Sequence, residues 1–206
     1  LDGLAIECRN RIPLGRGLGS SATTVCAGLV AANALGGLRW APSDILRRAA
    51  EIEGHADNAG ACLEGGLVVV SDDGGAPHAR RVTVDAQLGF VAVIPAHEVL
   101  TSQARKALPD TVALGDVAFN IGAAAGMVLT LTQGRLDELA PFLVDRVHEP
   151  YREANVPGIA ALRAMADGER IFGATVSGSG PSSLVWCRVD AMKAVEAEVA
   201  DVLAAE

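Results

Sequence analysis

"IPLGRGLGSSAT", Ile12–Thr23, is the stretch on which the fold turns. It sets Gly15, Gly17 and Gly19, then Ser20 and Ser21, between an alternating segment and an Ala-rich one. Glycine allows positive φ and a close approach of backbone to a ligand. A helix that starts at the serines leaves its first N–H groups without intrahelical partners and partly positive. Loop and helix start together form an anion cradle. The hydroxyls of Ser20 and Ser21 add donors for phosphate oxygens or ligands for Mg²⁺. The stretch is not a Walker loop, because G-x-x-x-x-G-K-[ST] has no match. It is not a dinucleotide fingerprint either, because the third glycine has the wrong spacing and no acidic ribose clamp follows. Taken alone, G-x-G-x-G reads equally well as a turn that caps a helix. The longer pattern Pro13-x-x-x-Gly17-Leu18-Gly19-Ser20-Ser21-Ala22 is far more specific.

On either side of this loop the period changes. Leu4 to Arg11 alternates apolar and polar residues, which predicts a half-buried strand ended by Pro13. Ala22 to Leu35 predicts a helix stopped by Gly36-Gly37. A second helix is predicted from an N-cap at Ser43 to about Glu53. Gly66–Ser71 and Gly89–Pro95 read as strands, with "SDDGGAP" as the turn between them. Ala113 to Thr132, Arg135 to Val147 and Gly158 to Ala166 have helical spacing. Ile171–Val176 and Ser183–Val189 read as strands, and Asp190 to Ala204 as a closing helix. Mixed strands and helices with a helical block in the middle predict an α+β fold.

Composition narrows the function. Half of the 206 residues are hydrophobic and 20% are charged, so a sizeable core can form. The net charge is −8 and the Lys and Arg are scattered, which argues against a nucleic-acid surface. An acidic chain can still bind a nucleotide through backbone N–H groups. Cys8, Cys26, Cys62 and Cys187 form no C-x-x-C pair, three of them sit in apolar runs, and they read as buried free thiols in a reducing cytoplasm. No apolar run approaches membrane-spanning length, so no membrane association is expected. The chain starts at Leu1 without Met, and it reads as a fragment.

Two more stretches carry chemistry. "GATVSGSGPSSLVW", Gly173–Trp186, puts a second glycine-rich loop between two predicted strands, with too many glycines for a tight two-residue turn. "AEIEGHADNAG", Ala50–Gly60, crowds Glu51, Glu53, His55, Asp57 and Asn58 around a helix end. A carboxylate there could take Mg²⁺, which prefers one or two protein carboxylates plus phosphate oxygens and water. On an isolated helix the same glutamates would simply be a solvated face.

The first stretch resembles the phosphate-binding motif of the GHMP kinases, the superfamily of galactokinase, homoserine kinase, mevalonate kinase and phosphomevalonate kinase. The second glycine-rich loop resembles their third motif. The resemblance implies a GHMP kinase fold. The remainder of a ribosomal-S5-like, ATP-binding lobe would occupy residues 1–80, and a ferredoxin-like α/β lobe residues 81–206. It implies that Pro13, Leu14, Gly15, Arg16, Gly17, Leu18, Gly19, Ser20, Ser21 and Ala22 bind ATP.

Within the superfamily, Glu53-Gly54-His55-x-Asp57-Asn58 resembles the E-G-H-x-D-N segment of homoserine kinases. "TSQARKALP" (Thr101–Pro109) and "DRVHEPYREANVPG" (Asp145–Gly158) resemble two further segments of that family. The resemblance implies Glu51 as the Mg²⁺ ligand with Ser20 or Ser21. It implies His55 and Asn58 on the acceptor, Asp57 as a weaker candidate, and Arg105 and Arg152 on the acceptor carboxylate. Guanidinium pairs with carboxylate bidentately, which suits an amino acid better than a neutral sugar. The implied reaction is ATP-dependent phosphorylation of L-homoserine in threonine biosynthesis, without a dedicated base, in a protein that could be a homodimer. The chain lacks the family's N-terminal P-x-x-x-A-N-L-G-x-G-F-D segment and a short C-terminal piece. Another GHMP kinase, of the mevalonate pathway or of sugars, and a non-catalytic ATP-binding relative are the alternatives.

Overall fold

A computed structural model describes residues 3–73, 76–98, 104 and 106–205. The first helix, α1 (Ser20–Gly36), starts at Gly19, which has φ of 73°. It ends at Gly37, whose N–H reaches the carbonyl of Asn33. The Asn33 side chain then pins the exit by pairing with both backbone groups of Trp40. α2 (Pro42–Glu53) and α3 (Asp57–Glu64) complete a three-helix group. Its shared core is Cys26, Leu46, Ala49, Ala56 and Ala59. These side chains are mostly small, so the helix axes come close, and polar groups near the helix starts are held at short range.

β1 (Leu67–Ser71) and β2 (His78–Val82) form an antiparallel ribbon against α3. The second sheet is antiparallel in the order β3-β5-β4, with β3 at Leu88–Val93, β4 at Ile171–Val176 and β5 at Ser183–Arg188. Central β5 is apolar on both faces, as a strand covered on both sides must be. Leu184 and Trp186 pack with Phe172, Leu131, Leu139 and Leu143 on one face. Val185 and Cys187 pack with Leu162, Val195 and Val199 on the other. The first cover comes from α4 (Leu114–Thr132) and the turns that follow it. The second comes from α5 (Ile159–Ala164) and α6 (Met192–Ala204). The α+β expectation holds.

Several local expectations do not hold. Residues 3–11 form no strand and are exposed. Their alternation is real, but a strand needs a neighbouring edge for its backbone groups, and no described strand runs beside them. The start of α2 is not capped by Ser43. Pro42 stands at its first position, and the Asp44 carboxylate accepts the Ala41 N–H at 3.0 Å. The Arg135–Val147 helix is replaced by short 3₁₀ turns at Leu136–Glu138 and Ala140–Phe142. Pro141 interrupts any longer helix. Further on, Asp145 Oδ1 takes the N–H groups of Val147 and His148 at 2.6 and 2.9 Å. β2 and α3 were not foreseen. α4 corrects the reading that nothing reaches bilayer length. Its 19 residues contain a window of mean hydropathy 1.5, long and apolar enough to cross a membrane by length and composition. Ala together with scattered Leu, Val, Ile, Phe and Met builds that value, with Gly, Thr, Asp and Asn interspersed. Its polar Asn120 binds Asp145 and the Arg146 N–H, which ties the helix to the cleft described next.

Candidate active site

Pro13 to Ala22 line one side of a cleft of about 970 Å³. Thr23 is the residue whose N–H bonds the Gly19 carbonyl, so the N–H groups of Ser20, Ser21 and Ala22 precede the helix ladder. Those three residues line the cleft. The result is the anion cradle that the sequence predicts, with the helix dipole adding positive potential.

The second glycine-rich loop locks the first. Ser177 Oγ donates to the Gly17 carbonyl at 2.8 Å. A Cβ at Gly17 would stand 2.3 Å from the Ser177 carbonyl oxygen and 2.7 Å from that of Gly180, and φ there is +72°. Only glycine fits. Arg152 joins the same junction, donating from Nη1 to the Gly178 carbonyl at 2.9 Å. Arg16 braces the first loop from outside. Its Nη2 donates to the Ala96 carbonyl at 2.6 Å, and its Nη1 lies 3.4 Å from Glu98. Arg16 is thus turned to the protein backbone.

The carboxylate beside the cradle is Glu53, not Glu51. Ser21 Oγ donates to Glu53 Oε1 at 2.7 Å, and Glu53 lines the cleft. Glu51 lies two residues earlier on α2, roughly 200° around the helix. It pairs with Arg47 at 2.5 Å, does not line the cleft, and is 58% exposed. The expectation of Glu51 in the site is therefore corrected by helical geometry. Ser20 is buried, with its Oγ accepting from Asn10 Nδ2 at 3.2 Å. No group of three His, Cys, Asp or Glu clusters as a metal site among the described residues. A cation here would need Glu53, a serine hydroxyl and oxygens from the ligand itself, which is the usual manner of Mg²⁺.

The α2–α3 junction supplies the next wall. His55 Nδ1 and Asp57 Oδ1 are 2.5 Å apart, and the same oxygen accepts the Asn58 N–H at 2.6 Å. Asn58 Oδ1 lies 3.4 Å from where a Gly19 Cβ would stand. His55, Asp57 and Asn58 all line the cleft, as expected from the sequence. Arg105 lies outside the described residues.

The wall opposite holds Asp145, His148, Glu149 and Arg152. Only Arg152 was singled out in the sequence, although the quoted segment from Asp145 contains the other three. Burial pushes the Asp145 carboxyl up, but the Asn120 amide and the N–H groups of His148 and Val147 outweigh it, so its pKa lies below the usual range. Glu149 is 6% exposed, and burial raises its pKa against the pull of the Val176 N–H and Arg163.

Two predictions follow from this geometry. Gly17→Ala should part the two loops and weaken nucleotide binding by at least about 100-fold, while the far-ultraviolet spectrum stays native. Equilibrium titration checks it, and wild-type affinity would contradict it. For Asp145, a folded pKa below the unfolded one stabilises above the ordinary carboxylate range and is lost as pH falls through the folded value. Asp145→Ala should therefore cost about 3 kcal/mol near pH 7 and far less in strong acid. Urea melts across pH check it. A gap between wild type and variant that does not shrink in acid would contradict it.

Known proteins match this arrangement. The GHMP kinases N terminal domain matches residues 2–66, and the GHMP kinases C terminal domain matches residues 127–205. A homoserine kinase of Solibacter usitatus is 40% identical over 89% of this chain and 60% of its own length. One from Streptomyces avermitilis is 44% identical over 88% of this chain and 60% of its own. The chain thus spans about three-fifths of the length of these curated relatives. The crystal structure of homoserine kinase from Cytophaga hutchinsonii superimposes with a TM-score of 0.83 at 31% identity, covering 95% of this chain and 64% of that one. With both domain signatures flanking a shared fold, the chain belongs to the GHMP kinases.

Proposed function

We propose that the chain acts as a homoserine kinase, transferring the ATP γ-phosphoryl to the side-chain hydroxyl of L-homoserine. The products are O-phospho-L-homoserine and ADP. The observation that carries this reading is the interlocked pair of glycine loops at the start of α1, beside Glu53. Identities of 40 and 44% to homoserine kinases support the choice of acceptor. Residues 1–80 and 81–206 are proposed as two lobes that meet at this cleft.

Phosphoryl transfer needs positioning and charge stabilisation more than covalent chemistry. ATP would supply the phosphoryl group, and Mg²⁺ would neutralise charge on its oxygens. The free N–H groups of Ser20, Ser21 and Ala22 would receive phosphate oxygens. Glu53, with Ser20 or Ser21, would hold the cation. Arg152 would pair with the acceptor carboxylate, aided by Arg105, and His55 and Asn58 would orient the rest. Asp57 is already engaged by His55 and the Asn58 N–H, which suits a positioning role better than that of a general base. The same reading carries a cytoplasmic enzyme of threonine biosynthesis and leaves room for a homodimer.

The test is ADP release from Mg-ATP by the complete gene product that carries this sequence. L-homoserine, mevalonate and galactose are compared as acceptors. Homoserine alone should support turnover. Turnover only with another acceptor would keep the family and discard the substrate, and nucleotide binding without any turnover would favour a non-catalytic relative. Glu53→Gln should lower kcat by about 100-fold or more and raise the Mg²⁺ requirement. Glu51→Gln should stay within about threefold of wild type, because it breaks only an exposed pair. The reverse order would return the metal role to Glu51.

A further inference from the structure

Glu149 is a charged side chain that the fold buries at the cleft wall, at 6% exposure. It opens the 3₁₀ turn Glu149–Tyr151. Its Oε1 accepts the Val176 N–H at 2.6 Å, and its Oε2 accepts from Arg163 Nη2 at 2.5 Å. Arg163, on α5, also pairs with Glu153. Behind the carboxylate lies a second cavity of about 350 Å³, walled by Leu143, Phe172 and Ala174 together with Arg163. Glu149 therefore forms part of the partition between this cavity and the cleft.

Two chains of contact leave Glu149: one runs from its carboxylate to the first glycine loop, the other from its backbone carbonyl to the second. Along β4, Val176 is followed by Ser177, whose hydroxyl holds the Gly17 carbonyl. Along the 3₁₀ turn, Glu149 accepts the N–H of Arg152 at its backbone carbonyl, and the Arg152 guanidinium reaches the Gly178 carbonyl. The turn and the strand end are 27 residues apart in sequence, and the Glu149–Val176 bond joins them directly.

We propose that Glu149, anchored by Arg163, is a positioning residue that sets the second glycine loop against the first. It fixes the end of β4 so that Ser177 meets Gly17, and it fixes the turn so that Arg152 meets Gly178. The catalytic consequence rests on the kinase reading above; the coupling between the loops does not. A carboxylate suits this place because its two oxygens serve two donors, one of them charged. Its removal leaves a buried N–H and a guanidinium without their acceptor. Glutamine keeps one oxygen for the Val176 N–H and gives up the charge facing Arg163.

The test uses the complete chain with Glu149→Ala, Glu149→Gln, Ser177→Ala and the double variant Glu149→Ala/Ser177→Ala. Three readouts are taken: affinity for a fluorescent ATP analogue, kinetics with homoserine, and amide hydrogen exchange. Glu149→Ala should weaken the analogue by about tenfold and raise KM for homoserine similarly. It should speed exchange in residues 13–22 and 176–180 while α6 keeps its wild-type protection. Glu149→Gln should recover most of the affinity. The double variant should lose clearly less than the product of the two single effects, because both variants disturb the Ser177–Gly17 contact.

Unchanged exchange in residues 13–22 in a folded Glu149→Ala protein would overturn the proposal, and so would full additivity with Ser177→Ala. If Glu149→Ala does not fold, Arg163→Met carries the same exchange test. Faster exchange in both loops supports the proposal, and exchange confined to α5 overturns it. A wild-type chain that binds no nucleotide would defeat the kinase reading, while the exchange data would still decide the coupling.

Discussion

The hydrogen bond from the Ser177 hydroxyl to the Gly17 carbonyl joins residues 160 apart in sequence, and the cleft depends on it. Such a bond is net worth only about 1 kcal/mol. Its importance is geometric. It holds the first loop so that the N–H groups at the start of α1 face open space rather than turning back on the chain. The steric demand follows from the same approach, because the carbonyls of Ser177 and Gly180 fill the place a side chain at residue 17 would need. Both loops sit at the ends of regular elements, which gives them rigid support.

The remaining groups of the cleft are placed by packing. α1, α2 and α3 meet through small side chains, among them Ala49, Ala56 and Ala59, each nearly inaccessible. Close packing brings the end of α2 to the start of α1, and Ser21 can then reach Glu53. Cys26 lies in this interface. Burial, with the neighbouring Cys62 and Glu53 adding to it, pushes the Cys26 thiol up to about 12. A thiol so disfavoured as thiolate is a packing group and a poor nucleophile. All four cysteines are free, as the sequence reading expects, but Cys8 and Cys62 are exposed, so only Cys26 and Cys187 are the buried thiols it expects.

The site was legible where its chemistry depends on glycine or on the order of residues. Pro13 to Ala22, the second loop, His55, Asn58 and Arg152 stand in the sequence as motifs, and the structure brings them to one cleft. Glu51 was misplaced because a motif match does not by itself tell which face of a helix a residue occupies; two residues along α2 reverse the face. The alternation of Leu4–Arg11 describes a face and says nothing about a pairing partner, so it does not make a strand. Arg135–Val147 has helical periodicity, but Pro141 and the competing acceptor Asp145 prevail over it. Glu149 was overlooked because burial of a charge shows only when its partners, Val176 and Arg163, come from distant parts of the chain.

Backbone N–H groups of the first loop and the start of α1 are proposed to hold a triphosphate. The most direct measurement is an amide nitrogen–proton spectrum of the ¹⁵N-labelled protein during titration with ATP and Mg²⁺. The amides of Gly15, Gly17, Gly19, Ser20, Ser21 and Ala22 should move first and furthest, with those of Ser177 to Gly180 following. Saturable binding that leaves these amides in place and moves another surface would contradict it.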